Sequence, residues 1–194
     1  MEAYSPLALS PEIEEFRRGF EQLSADGDAL VAGLSEAQFS WHPAPDRWSV
    51  AQCIDHLNAT AREYLPRLDD GIAEAIRRGL YRPGPYTYMW TGRLLVYLSG
   101  PDSGVRAKAP KAFIPPPNRP RQEIMAAFRA YQVQYIDRLR QANGLDLARA
   151  RVRSPVTRLI RMPLGSAFAM TVAHERRHLA QAQRVLTAPG FPAA

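Results

Sequence analysis

The sequence predicts an all-α fold, a four-helix bundle with a long irregular crossover between its second and third helices. Three observations predict it. Four segments of about 20 residues carry apolar side chains at helical spacing, and almost nothing alternates with the period of two that marks strands. Prolines, glycines and aromatics crowd instead into residues 81–120, where a regular element is hard to continue. At 194 residues the chain suits a single domain, 1–194, with a full core, and it shows no internal repeat or boundary.

The first helix, about Pro11–Leu34, opens on "SPEIEEF". Ser10 stands at the N-cap position, Pro11 occupies the first helical position, and acids follow in the first turn. Phe16, Phe20, Leu23 and Leu30 form its apolar side. The loop "SWHPAPDRW" (40–48) carries two prolines and breaks this helix. The second helix starts after the N-cap Ser49 and runs toward Arg78, with Val50, Ile54, Leu57, Ala61, Leu65 and Leu68 as its stripe. Pro66 lies inside that run, so a kink or break is expected near Tyr64.

Residues 81–120, from "YRPGPYTYMW" to "KAFIPPPNRP", read as a loop wrapped over one bundle end, with a short helix across Trp90–Leu98. The third helix, about Arg121–Ala142, places Ile124, Phe128, Tyr131, Tyr135 and Leu139 on one side. The fourth, about Leu164–Leu186, ends before "TAPGFP". The short first connection favours antiparallel neighbours, whereas the second is long enough for helices two and three to run parallel.

Composition narrows the function classes. A 46% hydrophobic and 23% charged content is ordinary for a globular chain, and no apolar run approaches the ~18 residues of a membrane span. The N-terminus lacks a secretory signal pattern. Cys53 is the only cysteine, which rules out an internal disulfide and makes the cytoplasm the expected location. The net charge of +6 is almost entirely arginine, scattered along the chain. Without a glycine-rich phosphate loop or a C-x-x-C ladder, that charge reads as a solvated surface rather than a nucleic-acid footprint. A small molecule is the expected partner.

The chemistry concentrates in the histidines. "HERRHLAQ" (174–181) matches H-E-x-x-H, in which His174 and His178, four apart on a helix, point their imidazoles the same way. A zinc protease needs a further ligand downstream, but "LAQAQRVLTAPGFPAA" holds no His, Asp, Glu or Cys. The third ligand must come from earlier in the chain. His56 on the second helix is the best candidate, and His42, in a proline-bracketed loop, is the alternative. Three imidazoles would leave an open position for water or substrate.

On the helical wheel His56 lies with Gln52, Thr60 and Glu63, away from the apolar stripe, so the site is expected at the margin of the core in a solvent-open cleft. Glu175 falls near the apolar stripe of the fourth helix. It could act as a general base, but a partly buried carboxylate bonded to a neighbour or orienting an imidazole is preferred. Gln181 and Gln52, one turn from the ligands, are candidates for bracing the site or touching substrate. Cys53 could be a soft fourth ligand, though a small buried filler is the favoured reading.

The pair "RWSVAQCIDHLNAT" (47–60) and "AHERRHLAQAQRVL" (173–186) resembles the DinB-like superfamily of metal-binding four-helix bundles. "SWHPAPDRWS", "KAPKAFIPP" and the terminal "GFP" agree with it. The resemblance implies an up-down-down-up bundle and a three-His divalent metal site, zinc or nickel, on His56, His174 and His178. It also implies a thiol S-transferase using a low-molecular-weight thiol such as bacillithiol or mycothiol, and it allows a homodimer. The alternatives are a hydrolase using metal-activated water and a non-catalytic metal-binding or stress protein.

Overall fold

A computed structural model describes residues 8–88, 90–104, 109–116, 119–157 and 159–193. It is predominantly helical: α1 (Pro11–Val31), α2 (Glu36–Ser40), α3 (Val50–Arg77), α4 (Trp90–Ser99), α5 (Arg121–Ala142) and α6 (Leu164–Leu186). A hairpin of two three-residue strands, β1 (Arg151–Arg153) and β2 (Arg161–Pro163), lies between α5 and α6, pairing Val152 with Met162. The sequence did not announce it, because three residues are too few to display a period of two.

The start of α1 matches expectation in position but not in capping. Ser10 makes no side-chain cap bond, and its hydroxyl is buried without a partner. The helix also stops at Val31, short of Leu34, because Gly33 takes a positive φ of 77°. Arg121, the first residue of α5, donates to the carbonyls of Val31 and Leu34 and so satisfies the frayed end. The next turn, unexpected from the sequence, is α2, closed by a capping box in which Ser35 and Gln38 bond each other reciprocally.

Ser49 and Gln52 form the same reciprocal box at the start of α3. That helix runs unbroken through Pro66, which faces solvent, so the expected break does not occur. On an exposed face, water can take up the carbonyl that the proline leaves unbonded. The 81–120 segment carries α4, which packs on α6, over nearly the expected residues.

Among the long helices, α1 and α3 each pack against both α5 and α6. Contacts along each pair set their relative directions. Phe20 stacks on Tyr135 at 4.7 Å, and Asp28 pairs with Arg129 at 2.8 Å, so α1 and α5 are antiparallel. Asn58 bonds the Ile124 carbonyl at 3.0 Å and Asp69 pairs with Arg138 at 2.9 Å, so α3 and α5 are parallel. Tyr64 reaches Met170 while Trp48, just before α3, stacks on His178, so α3 and α6 are antiparallel. The core lies among these four helices, with Phe20, Ile54, Leu57, Phe128, Tyr135 and Phe168 fully buried.

Candidate metal centre

The antiparallel packing of α3 on α6 brings His56 beside His174 and His178, which stand one turn apart with their rings edge to face. Their Nε2 atoms converge: 3.4 Å from His56 to His174, and 3.1 Å from His174 to His178. His56, His174 and His178 form the one group of three or more metal-capable side chains found among the described residues, with ligand atoms all within 4.8 Å. His42 lies apart from it, exposed, with its Nδ1 2.8 Å from the Arg47 carbonyl.

The surroundings of each imidazole set its chemistry. His56 Nδ1–H donates to the Phe113 carbonyl at 2.7 Å, which fixes the tautomer and leaves the Nε2 lone pair directed at the other two rings. Phe113 sits in the 3-10 turn Lys111–Phe113 of the crossover. That segment is tied to α3 a little further on, where Arg119 pairs at 2.6 Å with the buried Asp55, which also accepts from Asn58. Trp48 covers the group from the α3 N-terminal side, with ring centres 4.9 Å from His56 and 5.8 Å from His178.

Burial holds all three imidazoles neutral. It lowers His56, against the opposing pull of the Phe113 carbonyl. His174 falls to about 3, by burial first and then by the neighbouring His56 and Arg177 charges. His178 falls to about 2, by burial and then by His174, His56 and Arg177.

Three neutral nitrogens facing one point suit a borderline divalent cation. Two Zn–N bonds of about 2.05 Å at the tetrahedral angle separate their nitrogens by about 3.3 Å, close to the spacings above. Nδ1 of His174 and of His178 is buried without a hydrogen-bond partner.

The group lines the wall of a cavity of about 1060 Å³. It is less open than the cleft expected from the helical wheel: His56 is only 5% exposed and His178 9%. Thr60, Tyr64, Met162, Met170, Gln181 and Arg184 line further parts of the cavity. Gln181 therefore shares the cavity with the imidazoles, whereas Gln52 is occupied in the α3 cap and is not among the lining residues.

Glu175 turns the other way. It is buried in the helix interface, accepts from Gln132 at 2.8 Å, and is pushed up to about 8 by burial. Cys53 is likewise fully buried and its thiol is pushed up to about 12, which suits a filler and not a ligand. Residue reading missed the Phe113 carbonyl, the Asp55–Arg119 pair and Trp48 as parts of the site. For a backbone carbonyl there is no side-chain signal to read. Asp55 and Trp48 stood inside the quoted motif without an assigned role.

A helical protein with three imidazoles gathered on a cavity wall belongs to the class of candidate divalent-metal proteins built on packed helices. The family is narrower: a family model of the DinB superfamily matches residues 20–182, and the chain belongs to that superfamily. No curated protein and no solved structure gives a match. No helix among the described residues is long and apolar enough to cross a membrane.

Proposed function

We propose that this protein is a metal-dependent thiol S-transferase in which His56, His174 and His178 hold one divalent ion, zinc or nickel. The observation that carries the reading is the convergence of three neutral Nε2 donors on the wall of a large cavity. Bound there, a divalent ion supplies a positive charge that favours the deprotonated form of a thiol at neutral pH.

The chain's own residues do the rest. The Phe113 carbonyl holds His56 in the tautomer that aims Nε2 inward, and Trp48 screens the imidazoles from water on one side. Cys53, the only cysteine, is buried and does not line the cavity, so the nucleophilic thiol arrives as a co-substrate. A reducing compartment such as the cytoplasm keeps such a thiol free. The same reading takes the four long helices as an up-down-down-up bundle, which the order of contacts along each helix pair supports.

Elemental analysis of the isolated protein comes first, with about one zinc or nickel per chain expected. Metal-replete protein is then offered bacillithiol, mycothiol or glutathione with an alkylating electrophile, and thiol consumption is followed. Consumption that stops on chelation and returns with metal supports the transferase. Bound metal without any metal-dependent thiol loss leaves a non-catalytic metal-binding protein.

A further inference from the structure

The cavity is not uniform along its length. The antiparallel α3 and α6 form one long wall, and its chemistry changes in order from end to end. Past His178, toward the C-terminal end of α6, stand Arg184 and, from the loop before α3, Arg47. Neither guanidinium has an acidic partner among the described residues, and Asp46 is the one carboxylate lining the cavity with them. Six residues of helix separate His178 from Arg184, about 9 Å of rise.

The opposite end is apolar. Met170 lies one turn before His174, about 6 Å along the helix. Its sulfur and that of Met162 stand 3.8 and 3.7 Å from the Tyr64 hydroxyl. Leu95, Val156 and Ile160 continue this surface to the mouth, where Ile160 remains 46% exposed. The third arginine of the cavity, Arg177, lies between His174 and His178 on α6 and donates to the Leu98 carbonyl and the Ser103 hydroxyl, at the level of the imidazoles.

We infer that the cavity takes two substrates end to end: an anionic thiol with its charge between Arg47 and Arg184, and an uncharged, apolar electrophile on the Tyr64–Met162–Met170 surface, their reacting atoms meeting beside the imidazoles. The inference deepens the transferase reading and rests on it. The step is a substitution at carbon. The thiol proton goes to solvent, the sulfur forms the new C–S bond, and the leaving group departs from the electrophile with the bonding pair. The product is a thioether, anionic at one end and apolar at the other, matching the sequence of surfaces along the wall. Two guanidiniums provide charge-assisted bonds to carboxylate oxygens. Polarizable thioethers and an aromatic ring accept an apolar chain of variable shape.

S-methyl-, S-butyl- and S-hexylglutathione imitate such products, and their binding to the full chain is read by calorimetry, with and without metal. Affinity is expected to rise roughly two- to fourfold per added methylene in the unaltered protein. Ile160→Asn, on the exposed rim, and Met162→Gln/Met170→Gln should flatten that rise, with Ile160→Asn deciding if the double variant fails to fold. Arg47→Gln/Arg184→Gln should weaken all three ligands by about tenfold or more, without changing the chain-length slope.

Absent binding, a flat chain-length series in the unaltered protein, or unchanged affinity in the arginine variant overturns the inference. The two readings fail separately. A graded series without metal-dependent thiol consumption sinks the transferase alone, whereas thiol consumption with an ungraded series sinks the end-to-end arrangement alone.

Discussion

Between α1 and α5, Gly27 opens a space that the Phe128 ring fills: a Cβ added there would stand 2.5 Å from the ring edge. About two turns away, Phe20 lies flat on Tyr135 with 9° between the planes. Between α3 and α6, the residues at comparable positions are His56, His174 and His178, and a cavity of about 1060 Å³ runs past them. The two pairs share the same helical period. They differ in what occupies the meeting face. Small-against-large complementarity closes one interface like a core. In the other, short polar rings aimed at a common point leave space that neighbouring side chains do not fill. Chemistry has room where packing stops.

Four measurements test that contrast. The largest is expected at the imidazoles: His178→Ala should reduce bound metal from about one per chain to none while far-ultraviolet circular dichroism keeps its helical signal. A variant that unfolds instead would show that the ion is part of the core and that the two interfaces do not differ as argued.

Next comes the anchor of the crossover. Arg119→Met removes the partner of the buried Asp55 and loosens the segment that brings the Phe113 carbonyl to His56. Metal affinity, measured by competition with a chelator, should weaken by about ten- to a hundredfold. Unchanged affinity would mean that Phe113 is held by other contacts.

Gly27→Val tests the closed interface. Overpacking against Phe128 should cost about 1–3 kcal/mol in urea unfolding, with metal stoichiometry unchanged. A neutral effect would mean that the α1/α5 interface yields more readily than its burial suggests.

The smallest effect is a slope. In the metal-free protein, burial lowers His56, His174 and His178 in the folded state, so the unfolded chain binds protons first as pH falls. Their contribution to stability is present above about pH 6.5 and is lost as pH falls, for His174 toward about 3 and for His178 toward about 2. Glu175, raised to about 8, acts in the opposite sense, its contribution being lost as pH rises from its ordinary range. The urea midpoint should therefore drop between pH 6.5 and pH 5, and less steeply in His178→Ala. An equal drop in both proteins would place the proton-sensitive groups elsewhere.

Several parts of this structure were legible in the residues themselves. The apolar stripes located α3, α5 and α6 to within a residue or so, because burial of one helix face imposes its period on the chain. The i, i+4 spacing of His174 and His178 guaranteed a shared direction on any helix. The S-x-x-Q pattern at Ser35 and at Ser49 was equally local. Yet α2 was not expected from the sequence and Gln52 was expected near the ligands; in the structure the reciprocal box forms α2 and ties Gln52 to a helix end and not to the cavity.

Other features depended on distant partners. The end of α1 was decided by Arg121, some ninety residues away, reaching the Val31 and Leu34 carbonyls. The tautomer of His56 was decided by a backbone carbonyl, a group every residue carries and no sequence distinguishes. Short-range geometry was enough to place the long helices and to say which of their side chains share a face. That α6 runs back along α3, that Gln132 is the partner Glu175 meets in the interior, and that Arg47 and Arg184 share a cavity with Met162 and Met170 were settled by packing. Those outcomes depend on which helices meet and in what direction, and local periodicity carries no information about either.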